Sequence, residues 1–191
     1  MRTFRITVKN IKPVSEVLEV VHKKCNKMNT TQVKEAIAEK VIRQYRIFER
    51  MCTLFGFEYQ GHKKITTKLL QKAGVDYTVW YNDDKEMYVD LKTGIGHDYT
   101  QGIALELTQN GFFTNRKDKK TTYDLYFLYD EYGIRMYLIP YKKIHDICWD
   151  IYSRKDKSTY EWHTSFNGTG EYIKYPPEKI ADICFILEEE K

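Results

Sequence analysis

Val75-Asp76-Tyr77-Thr78-Val79-Trp80-Tyr81-Asn82-Asp83-Asp84-Lys85-Glu86-Met87-Tyr88-Val89-Asp90-Leu91-Lys92-Thr93 is two runs of β-branched and aromatic residues around a polar turn. That composition predicts a hairpin, with strands over 75–81 and 87–93 and Asn82-Asp83-Asp84 supplying the turn chemistry. Side chains alternate along a strand, so Asp90 and Lys92 share one face and Leu91 points to the other. Asp76 opens the first strand and approaches the same end once the two strands pair. Two carboxylates and an ammonium then become neighbours.

Upstream of the hairpin, Val33, Ile37, Val41, Tyr45, Phe48, Cys52 and Phe55 recur every three or four residues. This stripe predicts one continuous helix stopped by Gly56. Val14, Val17, Leu18 and Val21 recur at helical spacing after Pro13, with Ser15 as a candidate cap, predicting a short amphipathic helix that runs to about Cys25. Phe57 to Tyr59 reads as a brief strand, and Ile65 to Lys72 as a short helix or an irregular basic segment.

Downstream, Ile103 to Leu107 reads as a third strand, and Tyr123 to Tyr129 with Ile134 to Ile139 as a second hairpin. Pro140 introduces a helix from about Tyr141 to Tyr152. Ile180, Ile183, Cys184 and Leu187 suggest a terminal helix. The expected fold class is α+β (α/β), with a mixed central sheet of about five strands flanked by helices. One domain is expected over 1–191: an N-terminal helical segment 1–56, a sheet core 57–152 and an extension 153–191, in which 153–175 has no derivable role.

With 191 residues, 42% hydrophobic and 30% charged, the chain has the composition of a soluble globular protein. Its apolar runs are too short to span a bilayer, and the basic opening (Arg2, Arg5, Lys9, Lys12) lacks the apolar core of a secretory signal, so a cytoplasmic protein with no membrane contact is expected. Cys25, Cys52, Cys148 and Cys184 are scattered singly with no ligand spacing, and read as reduced core residues. The net charge of +4 is modest, but its distribution is uneven. Lys63, Lys64, Lys68 and Lys72 have no acid between them, and Arg116, Lys117, Lys119 and Lys120 crowd around Asp118, giving two candidate phosphate-binding patches that could equally be solvated surface.

The chemistry suited to Asp76, Asp90 and Lys92 is phosphodiester hydrolysis at a hard cation. Mg²⁺ takes oxygen ligands, makes water more acidic and neutralises charge on phosphoryl oxygens. Lys92 would orient or help deprotonate the attacking water; burial lowers its pKa and the carboxylates raise it, leaving both roles open. A strand Asp-x-Lys is also common as plain surface charge.

The run from Arg46 to Ile144 resembles the PD-(D/E)XK nucleases, in particular phage and archaeal resolvase-like members. The helix with Phe48-Glu49-Arg50 ending at Gly56-Phe57, the approach Gln71-Lys72-Ala73-Gly74-Val75-Asp76, and Val89-Asp90-Leu91-Lys92-Thr93 follow that family's order. Val75 stands where the family name implies a proline. The resemblance covers about half of the chain and implies a restriction-endonuclease-like fold and a Mg²⁺-dependent deoxyribonuclease, with Mn²⁺ as a possible substitute. Asp76, Asp90 and the main-chain carbonyl of Leu91 would hold the metal, and Lys92 would handle the water.

Glu106 is a further candidate acid, as is Glu49 on the long helix, with Glu39 as its substitute. Tyr99 and Gln101 follow the lysine at a spacing that departs from the family pattern, and His97 reads as a solvent-facing loop residue. Most of the sixteen tyrosines and three tryptophans serve packing, while Trp80, Tyr81, Phe112 and Phe113 could stack on unpaired bases if exposed. DNA is the implied partner. Lysine outnumbers arginine 23 to 8, which favours structure-directed or weakly sequence-specific cutting over base reading. A homodimer would place two sites on one duplex. The alternative is a non-catalytic module, phage-encoded, that binds nucleic acid or protein on the same scaffold.

Overall fold

The computed structural model describes residues 1–9, 11–12, 16, 30–95, 102–115, 119–130, 133–154, 159–164 and 168–190. Most of the helix expected over 14–25 falls outside them, as do His97, Tyr99, Gln101, Arg116 and Lys117. Thr30–Gln44 (α1) and Ile47–Phe55 (α2) are followed by Tyr59–Lys64 (β2), Lys68–Lys72 (α3), Tyr77–Tyr81 (β3) and Lys85–Ile95 (β4). Then come Ile103–Gln109 (β5), Phe112–Phe113 (β6), Tyr123–Asp130 (β7), Gly133–Pro140 (β8) and Tyr141–Arg154 (α4). Trp162–Thr164 (β9), Gly170–Tyr175 (β10) and Ile183–Glu189 (β11) complete the order, and Arg2–Val8 (β1) precedes them all.

These strands form two sheets, one of seven in the order β1-β11-β8-β7-β4-β3-β2 and one of four in the order β6-β5-β10-β9. The expectation of an α+β (α/β), restriction-endonuclease-like sheet of about five strands flanked by helices is therefore wrong: strand exceeds helix, 46% to 29%, and the large sheet is curled. Three segments account for the difference. The basic N-terminal stretch is a strand. The polar and aromatic residues after α4 supply β9 and β10, which join β5 in a sheet of its own. The expected terminal helix is β11, running parallel to β1 and antiparallel to β8. Ile183, Cys184, Phe185 and Leu187 are all buried, and a strand covered on both faces reads as a continuous apolar run that periodicity does not separate from a helix.

The long helix is also divided. Arg46 takes a left-handed conformation (φ 52°) between α1 and α2, and the Arg50 guanidinium donates to the Tyr45 carbonyl at 2.9 Å, satisfying a group freed by the break. Gly56 (φ 74°) caps α2 as expected, and open space surrounds the position of a Cβ there. Gly56→Ala therefore meets only the left-handed penalty and is expected to destabilise by about 1–2 kcal/mol, read by denaturant titration.

The large sheet separates two cores. On one face Ala38, Val41, Phe48 and Met51 of α1 and α2 pack against Val79, Val89, Leu125 and Phe127. On the other, Tyr126, Leu128, Tyr137 and Ile139 meet Leu105 and Ile173 of the small sheet and Ile144 and Cys148 of α4. Cys52, Cys148 and Cys184 are free and buried, and burial pushes the Cys148 thiol up to about 12. No helix among the described residues is long and apolar enough to cross a membrane.

Candidate active site

The hairpin forms where the sequence places it. β3 and β4 pair antiparallel with Tyr77 opposite Val89, and Asn82, Asp83 and Asp84 all take positive φ in the turn. β4 then runs parallel to β7, with Asp90 beside Asp124 and Lys92 beside Tyr126. In-register neighbours project to one face, so these four side chains look toward the small sheet while Val89 packs on the helical side.

At the mouth of β3 the Asp76 amide donates to the Val89 carbonyl at 2.9 Å, and Asp76 Oδ2 accepts the Leu91 N–H at 2.8 Å. A strand residue presents its N–H and C=O to the same edge, so the Leu91 carbonyl faces the same side, just past the start of β3. Lys92 Nζ and Lys119 Nζ each lie 2.7 Å from Asp90 Oδ2. The Lys119 ammonium also sits 4.8 Å from the centroid of the Tyr141 ring. Its stem crosses Gly74 so closely that a Cβ there would lie 1.8 Å from Lys119 Cε.

Burial would raise the Asp90 carboxyl, but the Lys92 and Lys119 ammoniums outweigh it and hold the group below its ordinary value. Asp76 goes the other way. Burial, offset in part by the Leu91 amide, combines with the charge and hydrogen-bonding contact of Asp90 to push it up to about 6. Asp124 is also pushed up to about 6, chiefly by burial, with Lys92 and Lys119 opposing, and its Oδ1 has no hydrogen-bond partner. Burial would lower the Lys92 ammonium, yet Asp90, Asp124 and Asp76 together raise it. Lys92 is thus held as a cation in this arrangement.

These directions predict a pH dependence. Asp76 and Asp124 titrate at about 6 folded against 3.8 ordinarily, so in that window the folded chain holds more protons than the unfolded one and stability falls as pH rises. The contribution of Asp90 is opposite, present above its ordinary value and lost only at lower pH. In EDTA the melting temperature is expected to be several degrees higher near pH 5 than near pH 7.5, at about 2–4 °C per kcal/mol, with Asp124→Asn flattening the difference. A wild-type slope that Asp124→Asn leaves unchanged would contradict this assignment.

The site opens into a cavity of about 600 Å³ lined by Lys92, Glu106, Lys119, Asp124, Lys174 and Glu35, among others. An adjoining groove of about 420 Å³ shares Lys92, Glu106 and Lys119 and adds Asp90, Gly74 and Phe112. Glu106, from β5, thus faces Lys92 across the gap between the sheets. No protein-family model, curated protein or solved structure matches the chain. Among the described residues no three His, Cys, Asp or Glu side chains form a cation cluster, so a metal here would rely on Asp76, Asp90 and the Leu91 carbonyl. Two carboxylates close enough to share a proton, beside a main-chain oxygen, are a donor set that suits Mg²⁺.

Other sequence candidates lie elsewhere. Glu49 forms a 2.6 Å pair with Arg46 and lines a separate cavity with Arg50 and Phe4. Glu39 is bound by Lys64. Glu35, one turn before Glu39 on α1, is the helical acid that reaches the cleft, and its i, i+4 spacing from Glu39 was the available signal. Lys63 and Lys68 are exposed on the β2 side and Lys120 is exposed after the second basic loop, whereas Lys119 turns inward. The side chain of Lys72 lies outside the description. Asp124 was legible only as an isolated acid opening an apolar strand.

Proposed function

We propose that this chain is a metal-dependent nuclease that hydrolyses DNA phosphodiester bonds through the Asp76, Asp90 and Lys92 site, as the local resemblance to PD-(D/E)XK nucleases implies. The observation that carries the reading is the convergence of two carboxylates with opposite pKa displacements and a lysine 2.7 Å from one of them, at the edge of a cleft lined by further lysines. Pairs of titratable groups driven apart by their surroundings are characteristic of acid–base sites.

In this reading Asp76, Asp90 and the Leu91 carbonyl hold Mg²⁺, which would acidify water and neutralise phosphoryl charge. Lys92, fixed on Asp90, positions the attacking water or a phosphate oxygen as a cation. Lys119 holds Asp90 from its other side. Glu106, across the cleft, can accept a proton. Lys120 and the lysines along β2 meet the backbone without regard to sequence.

A second reading, a non-catalytic module that binds DNA, is favoured by one observation. Both ammoniums already pair with Asp90, so its charge is compensated without a metal ion. Incubating the protein with labelled single-stranded, duplex and branched DNA in Mg²⁺, Mn²⁺ or EDTA separates the two. Metal-dependent cutting supports the nuclease; tight binding with no cutting supports the module.

A further inference from the structure

Large apolar side chains are mostly buried here, and among the described residues Met1, Leu69, Phe112 and Trp149 are the large hydrophobics left exposed. Phe112, 77% exposed, stands at the tip of the β5–β6 hairpin, whose turn passes through Asn110 and Gly111 with positive φ. It also lines the groove that holds Asp90, Lys92 and Lys119.

The hairpin tip is anchored. Phe113, which also lines that groove, packs edge-on against Trp149 at 5.3 Å and beside Tyr152 at 5.1 Å. The Thr114 amide closes the ladder onto the Leu107 carbonyl at 3.1 Å. One phenylalanine fixes the backbone, and its neighbour presents an uncovered ring beside the charged groups.

A ring with one free face next to lysines suits a nucleobase whose own face is free. Inside a duplex every base face is covered by its neighbours, so such a ring can be used only by an unpaired base, and stacking of this kind is indifferent to sequence. We propose that Phe112 is a stacking platform for an unpaired base beside the phosphodiester held at Asp76, Asp90 and Lys92, so that the substrate class is DNA with a single-stranded segment. The position of that phosphodiester rests on the nuclease reading above.

The test is equilibrium binding in EDTA, where metal-dependent cutting is suspended, of a single-stranded oligonucleotide carrying 2-aminopurine and of the same sequence as a blunt duplex. Phe112→Ala is expected to weaken single-strand binding by about 5- to 150-fold with little change for duplex. Phe112→Tyr should retain binding and 2-aminopurine quenching, and Phe112→Leu should behave like alanine, because it keeps apolar bulk without a π face. Equal loss on both DNAs, no loss, full binding by Phe112→Leu, or a wild type that does not bind the single strand would overturn the platform. Mg²⁺-dependent cleavage by the wild type tests the nuclease reading separately: cutting without single-strand preference sinks only the platform, and single-strand binding without cutting sinks only the nuclease.

Discussion

Lys92→Ala is expected to lower Mg²⁺-dependent DNA cleavage by about 10²–10⁴-fold, the range associated with removing a proton-handling or charge-stabilising side chain. Asp90→Ala should lose at least as much, for a different reason. Lys92→Ala leaves Asp90 paired with Lys119, so the two carboxylates stay in place and Mg²⁺ binding, read by calorimetry, should persist. Asp90→Ala removes the oxygen on which both ammoniums converge at 2.7 Å, leaving two cations facing each other and Asp76 alone as a carboxylate ligand; Mg²⁺ binding should fall with activity. Glu49→Ala is the control, because its side chain pairs with Arg46 in another cavity, and its cleavage rate should match the wild type. A folded Lys92→Ala that cuts at the wild-type rate would remove the lysine from the mechanism.

Gly74→Ala is expected to be the more damaging of two chemically identical changes. Gly56 and Gly74 have almost the same φ, +74° and +73°, so the left-handed penalty of about 1–2 kcal/mol is common to both. The surroundings differ. A Cβ at Gly56 meets nothing, whereas at Gly74 it would overlap the Lys119 stem, and displacing that stem breaks the ion pair with the buried Asp90. Asp90 keeps Lys92, so the cost is the loss of one of the two ion pairs to a buried carboxylate. Gly74→Ala should therefore destabilise somewhat more than Gly56→Ala and lower cleavage, while Gly56→Ala leaves cleavage intact. The double variant Gly74→Ala/Lys119→Ala should be less destabilised than the sum of its parts, since removing the lysine removes the overlap. Additive behaviour would mean that the close approach has no energetic consequence.

What is local in the fold is legible in the sequence. The 75–93 hairpin, the hairpin of β7 and β8, the helix after Pro140 and the stop at Gly56 follow from turn chemistry and short-range periodicity, and with them came the neighbourhood of Asp76, Asp90 and Lys92. What is not legible there depends on partners distant in sequence. The helix expected at the C-terminal end is a strand because β1 and β8 flank it, and residues 162–164 and 170–175 form strands because β5 pairs with β10, which in turn pairs with β9. Lys119 read as one more surface lysine, since only the fold brings Gly74 beneath it and Asp90 in front of it. The sequence singled out Glu49 through the family resemblance, with Glu39 as its substitute, and not Glu35; a stripe read as one continuous helix also hides the break at Arg46.

The parallel pairing of β1 with β11, from Arg2 beside Ile183 to Val8 beside Glu189, sets an order on assembly. β1 finds this partner only after the chain as far as β11 has been made. Its ladder closes a loop that contains nearly every other element, the slowest kind of contact to form because chain entropy is lost before any pairing repays it. Until then β8 presents an unpaired flank where β11 belongs, so a nascent chain halted before residue 183 would carry a sticky sheet margin and invite capture by chaperones or by a neighbouring chain.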